Sequence, residues 1–166
     1  MKQKNYLLDK TQSEYKLQRL ALEVAEHLQG DNAALIIIGI SGSGMVIANK
    51  INLLLKQYLS VSIETISAKF DKVKLVDIVL SRELSFDNKN ILLVDDVANT
   101  GKTLLYALKP LLAFYPKRVQ TLVLVERMHK LFPVKPDFVG LSVATTLQDN
   151  IVVEVEGTEV LGAYIA

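Results

Sequence analysis

Asp95 and Asp96 stand side by side after an apolar run, residues 91–94, and just ahead of Asn99-Thr100-Gly101-Lys102-Thr103. The run reads as a short buried strand. The polar turn leads into Leu104, Leu105, Leu108, Leu111 and Leu112, an apolar pattern at helical spacing. Unpaired N–H groups at a helix start, together with the positive end of its dipole, favour an anion. Neighbouring carboxylates accept hydrogen bonds from vicinal hydroxyls. An anion seat beside a diol seat suits a sugar phosphate.

Counting excludes two other phosphate loops. A Walker A loop needs a glycine five positions before the one in Gly101-Lys102-Thr103, and that position is Asp96. A dinucleotide fingerprint needs G-x-G-x-x-G, whereas the Gly-rich stretch 39–44, Gly-Ile-Ser-Gly-Ser-Gly, has different spacing. That stretch nonetheless invites an anion. Ser41-Gly42-Ser43-Gly44 follows the apolar run 35–40 and precedes a helix expected from about residue 45 to 59. Small residues let backbone N–H groups converge on a charge; a plain tight turn is the alternative.

The elements that must position these residues follow from pattern. Thr11-Gln12-Ser13-Glu14 has capping-box spacing, and Leu17, Leu20, Ala21, Val24, Ala25 and Leu28 then share one helical face. Gly30-Asp31-Asn32 ends that helix, and His27 lies beside the apolar stripe as a boundary residue. Residues 35–40 form an unbroken apolar strand of the kind buried on both faces of a parallel sheet. Residues 61–66 alternate as a strand, 67–73 are polar, 75–80 apolar, and 85–90 turn into the acid-bearing strand. Tyr115-Pro116-Lys117 breaks the chain ahead of a buried strand at 121–125. Arg127 and His129 follow that strand's end, open to a functional or a structural role, whereas Tyr106 and Phe114 read as core. Gly157-Thr158 joins two late strands, 151–156 and 159–165, as a hairpin. Strands alternating with helices predict an α/β fold around a mostly parallel sheet, with antiparallel pieces at the end.

Composition fits one domain spanning residues 1–166. Half of the 166 residues are hydrophobic, enough for a sizeable core. No apolar run reaches the roughly 18 residues of a membrane span, and the start shows no signal-peptide core. The absence of cysteine fits a cytoplasmic protein and, with only two histidines, argues against a zinc cage. A formal net charge of +1 supplies no overall pull towards nucleic acid.

Val94-Asp95-Asp96-Val97-Ala98-Asn99-Thr100-Gly101-Lys102-Thr103 resembles the phosphoribosyl pyrophosphate (PRPP) motif of the type I phosphoribosyltransferases. The order of segments is similar to that of the small bacterial pyrimidine-operon regulators that double as uracil phosphoribosyltransferases. The resemblance implies a three-layer sandwich with a mostly parallel twisted sheet. It also implies a mobile flap at about 67–82 and a small base-covering hood at about 126–166 that ends in the hairpin. Lys135-Pro136-Asp137-Phe138-Val139-Gly140 is similar to the segment leading into that hood.

The reaction so implied is displacement of pyrophosphate from C1′ of PRPP by a ring nitrogen of a nucleobase, assisted by Mg²⁺. Asp95 and Asp96 hold the ribose hydroxyls and the metal, the latter through water or PRPP itself. Ala98, Asn99, Thr100, Gly101, Lys102 and Thr103 seat the 5′-phosphate. Ser41, Gly42, Ser43 and Gly44 grip pyrophosphate, with Lys69, Lys72 or Arg82 arriving from the flap; Ser and Gly stand where the family usually has a basic residue. Val139, Leu141 and Leu147 touch the base. Asn99 replaces the acid that six-oxopurine enzymes place before Thr-Gly, which favours a pyrimidine such as uracil. A homodimer is expected by analogy. A PRPP- or nucleotide-sensing attenuator that binds RNA with little turnover is the other reading; Lys109, Lys117, Arg118, Lys130 and Lys135 are too scattered in sequence to form an obvious phosphate-binding stripe.

Overall fold

Asp9 sets the start of the first helix. Its carboxylate accepts the Gln12 amide at 2.7 Å, and the Gln12 side chain accepts the Asp9 amide at 2.9 Å. This reciprocal cap opens α1 (Lys10–His27) two residues before the expected Thr11 box. Both stretches satisfy the spacing. The earlier one wins because Asp9 directly follows a strand, β1 (Asn5–Leu8), that fixes where the chain turns. The computed structural model describes residues 4–70, 78–146 and 149–166. Lys72 and Leu147 therefore lie outside the described residues.

After α1 come β2 (Leu35–Ile40), α2 (Ser41–Leu55), β3 (Ile63–Phe70), β4 (Ile78–Leu80) and β5 (Asn90–Ala98). Then follow α3 (Lys102–Ala107), a 3₁₀ segment (Lys109–Ala113), β6 (Arg118–Arg127), β7 (Phe138–Val143), β8 (Ile151–Glu156) and β9 (Glu159–Ile165). The six-stranded sheet runs β4-β3-β2-β5-β6-β7, parallel throughout except for the β3–β4 pairing. A separate sheet, β1-β9-β8, joins the two ends of the chain in antiparallel register.

The sheet has apolar layers on both faces. Leu17, Leu20 and Val24 of α1 and Ile47 and Ile51 of α2 pack with Ile37, Leu92 and Val94 in one cluster, which also takes in Val153, Val160 and Ala163 of the small sheet. Leu104, Ala107, Leu111 and Phe86 pack with Ile36, Ile38 and Leu93 in the other. Every residue of β2 is buried, as a central parallel strand requires. The expected three-layer α/β arrangement is what the chain adopts.

β5 runs on through Asp95 and Asp96 to Ala98, so the acids lie within the strand and not after it, and two helical elements also differ from the sequence pattern. The helix expected from residue 45 begins at Ser41, so Ser41-Gly42-Ser43-Gly44 is the first turn of α2 rather than a loop before it. The apolar spacing across 104–112 is not one helix. Pro110 lacks an amide hydrogen, α3 stops at Ala107, and a 3₁₀ turn leaves Leu112 80% exposed.

Candidate functional site

The sheet order fixes where a ligand can sit. From β2 the chain crosses to β3 on one side, while β5 lies on β2's other side and leads on to β6. The helix after β2 packs on one face and the helix after β5 on the other, so the segments after these adjacent strands part. Such a switch point opens a crevice at the carboxyl ends of the strands. The acids of β5, the turn 99–103 and the first turn of α2 all converge there.

Asp95, Val97, Ala98, Asn99, Thr100, Gly101, Lys102, Thr103 and Leu104 line a small cradle of about 40 Å³. That is room for one small anion and its water, not for a base. Among the described residues none accepts a hydrogen bond from the amides of Thr100, Gly101 or Thr103, and the Lys102 amide reaches only the Thr100 hydroxyl, at 3.3 Å. Gly101 sits at φ +85°, a left-handed conformation that glycine adopts freely. A Cβ there would lie 3.0 Å from the Val134 carbonyl oxygen and 3.2 Å from that of Phe132. The Lys102 ammonium turns to the rings of Tyr106 and Phe132, 5.8 and 6.0 Å from their centroids.

The two acids differ. Asp95 is 7% exposed and forms part of the cradle wall. Its carboxylate accepts the Asp96 amide at 2.9 Å. Burial first, and the adjacent Asp96 charge second, push the Asp95 carboxyl well above the usual carboxylate range. Asp96 is half-buried and outside the cradle lining; its carboxylate accepts the Val97 amide at 2.7 Å.

The first turn of α2 reaches this pair through Gly44. A Cβ on Gly44 would lie 3.0 Å from the Val94 carbonyl oxygen and 3.3 Å from the Asp95 carboxylate. A larger residue here would need helix and acid strand to give by a few tenths of an ångström. No side chain caps this end of α2, so its first amides face the crevice region with the helix dipole behind them. Ser41, Gly42 and Lys69 share a groove of about 500 Å³ with Met45, Val46, Asn49, Ser67 and Phe70. Arg82 is instead paired with Glu64 at 2.5 Å.

Val139 and Leu141 are half-buried on β7 and take no part in the cradle lining. Arg19 of α1 donates to the carbonyls of Val139 and Gly140 at 2.9 and 2.8 Å and so pins that edge strand. Arg127 donates to the Thr145 hydroxyl at 2.9 Å and the Thr146 carbonyl at 2.7 Å, a brace for the following segment. His129 is exposed. The residues that shape the cradle from outside, Phe132 and Val134, carried no local signal, because their contacts with 100–101 cross some thirty positions of chain.

A family model described as "Phosphoribosyl transferase domain" matches residues 4–159. This chain belongs to the phosphoribosyl transferase domain family. Among phosphoribosyl transferase relatives, the bifunctional protein PyrR of Clostridium novyi (strain NT) is 33% identical over 165 residues, covering 93% of this chain and 92% of that one. PyrR of Limosilactobacillus reuteri is also 33% identical, covering 90% of each. The hypoxanthine phosphoribosyltransferase of Trypanosoma cruzi superposes with a TM-score of 0.81 at 15% identity, over 98% of this chain and 97% of that one. A hypoxanthine-guanine phosphoribosyltransferase of Bacillus anthracis gives 0.74 at 16%, over 96% of each. At such identities the likeness is one of fold, and it is the type I phosphoribosyltransferase fold. Among the described residues no helix is long and apolar enough to cross a membrane.

Proposed function

We propose that this chain transfers 5-phosphoribose from PRPP to a nucleobase, a pyrimidine and most specifically uracil, releasing pyrophosphate. The observation that carries the reading is a cradle of unpaired amides with a buried carboxylate in its wall, joined through Gly44 to the free end of α2. In that reading 98–103 hold the 5′-phosphate by backbone amides and the hydroxyls of Thr100 and Thr103. Asp95 and Asp96 accept the ribose hydroxyls. The first turn of α2, with Lys69 across the groove, takes the pyrophosphate that leaves with the C1′–O electron pair as the C1′–N bond forms and the ring nitrogen gives up its proton to solvent. Fixed placement and charge complementarity supply most of the rate. Val139 and Leu141 lie on the strand proposed to face the base, and Asn99, which accepts no proton, argues against a six-oxopurine.

Magnesium suits this set in one way only. Among the described residues no group of three or more acidic or histidine side chains can hold a metal alone. The ion would rest on substrate oxygens, with Asp95 and Asp96 holding it through water or through PRPP itself, which is ordinary for Mg²⁺. When bound, it neutralises charge on the leaving pyrophosphate.

The deciding experiment incubates the chain with PRPP, Mg²⁺ and a panel of bases and follows pyrophosphate release. Uracil-dependent release is expected; release with hypoxanthine or guanine alone overturns the pyrimidine assignment, and none with any base overturns transfer. The word bifunctional in the relatives' name favours a second reading, an RNA-binding attenuator that senses PRPP or nucleotide. Against a broad RNA face, Lys117 and Arg118 lie by Asp31, at 2.9 and 4.0 Å, and Lys130 pairs with Glu126 at 3.2 Å. Gel shifts at rising salt separate the two, since phosphate contacts give a steep loss of affinity.

A further inference from the structure

Glu126 is a buried carboxylate that neither the strand pattern nor the proposed chemistry requires. Its side chain is 8% exposed, at the C-terminal end of β6. One oxygen accepts the Ser142 hydroxyl of β7 at 2.7 Å, and the other accepts the Lys130 ammonium at 3.2 Å. Lys130, 15% exposed, also donates to the Arg127 carbonyl, which folds the segment after β6 back on itself. The next residues grip the phosphate turn. The amides of Leu131 and Phe132 both donate to the Thr100 carbonyl at 3.0 Å, and the carbonyls of Phe132 and Val134 lie where a Cβ on Gly101 would crowd them. The Lys130 stem itself would lie 3.7 Å from a Cβ on Gly101.

We propose that Lys130, anchored on Glu126, is a positioning residue that holds the 99–103 turn in its anion-binding shape and ties it to strand β7. The inference rests on the phosphoribosyl reading of the cradle and deepens it. A turn whose amides point inward is unfavourable unless something holds its outer side, and here the hold is two hydrogen bonds to one carbonyl from a segment clamped by a buried ion pair. The clamp also contacts β7, the strand bearing Val139 and Leu141, so phosphate occupancy and the state of β7 are linked. Linkage of that kind is reciprocal: whatever orders one subsite favours the other.

Calorimetric titration with ribose 5-phosphate tests it. Wild-type protein that does not bind sinks the phosphoribosyl reading and this inference together. Given binding, Lys130→Met combined with Glu126→Gln leaves no lone buried charge and is expected to weaken affinity about tenfold. Lys130→Arg, which keeps the cation, is expected to stay within about threefold of wild type. A pair that served stability alone would lower the melting midpoint and leave the affinity of the folded protein unchanged. Wild-type affinity in the folded double variant therefore overturns the proposal. Should that variant not fold, Ser142→Ala removes one hydrogen bond from the same carboxylate; a loss of about two- to threefold is expected, and unaltered affinity is equally fatal.

Discussion

Asp95 illustrates how a binding residue is kept at a cost to the free protein. Its folded-state pKa is raised by burial and by Asp96, whereas in the unfolded chain it ionises near its ordinary 3.8. Between those values the folded state binds more protons than the unfolded one, so stability falls as pH rises through that window. Asp95→Asn should abolish that slope and raise the melting midpoint of the ligand-free protein at neutral pH, read from thermal melts at pH values from about 4 to 8. The paired change of Asp95→Asn with Asp96→Asn should keep the fold and abolish PRPP binding in calorimetry; unchanged affinity removes both acids from the proposed site. Gly101→Ala tests the cradle from its other side. The left-handed backbone alone costs about 1–2 kcal/mol for a residue with a Cβ, and the Val134 carbonyl 3.0 Å away adds to it. Ribose 5-phosphate affinity should fall by about tenfold or more, with a smaller loss of global stability. Both acids and this glycine stood out in the sequence because they lie within one short stretch, residues 95–101. Gly44 was legible only as part of a small-residue stretch; its contact with Asp95 depends on two strands lying side by side, which no local spacing announces.

At the scale of elements, some strands were legible in full, whereas β1 and β7 carried no strand pattern and β3, β5 and β6 run past the stretches that marked them. Both strands of the late hairpin and the buried run at 35–40 have the residue ranges that their patterns imply. Helix ends were less legible, because a start signal can occur twice. Asp9 with Gln12 and Thr11 with Glu14 both have capping spacing, and only Asp9 caps. Asp9→Ala should therefore cost about 1 kcal/mol in a urea melt, whereas Thr11→Ala should cost well under that. The helix after the phosphate turn was over-read for a physical reason: hydrophobic spacing continues past Pro110, but the backbone hydrogen bonding does not. A six-residue α3 is too short to be stable by itself, so its place rests on Leu104 and Ala107 in the core and on the ties from 131–134. The brace on the phosphate turn thus compensates for a weak helix behind it.

At the scale of the whole molecule, the two ends of the chain close one layer of the sandwich. β1 pairs with β9, Asn5 opposite Ile165, and β9 in turn pairs with β8. Nothing in residues 5–8 alone marks a strand, since its partner is at the far end of the chain and only the fold brings them together. That small sheet is no loose appendage. Leu8 is 3% exposed and Ala163 fully buried, in the same cluster as Leu17 of α1 and Ile47 of α2. α2 also carries the first turn that faces the Asp95 strand, so the terminal sheet and the proposed site share one core. Leu8→Ala should consequently behave as a core deletion, costing about 2–5 kcal/mol in chemical denaturation. A frayed terminus would show almost no loss. Because the terminal sheet packs on the same helix that carries the site's first turn, unfolding followed by fluorescence and by loss of ribose 5-phosphate binding should coincide in one transition. Two separated transitions would mean that the terminal sheet melts as a unit of its own and that α2 keeps its crevice end without it.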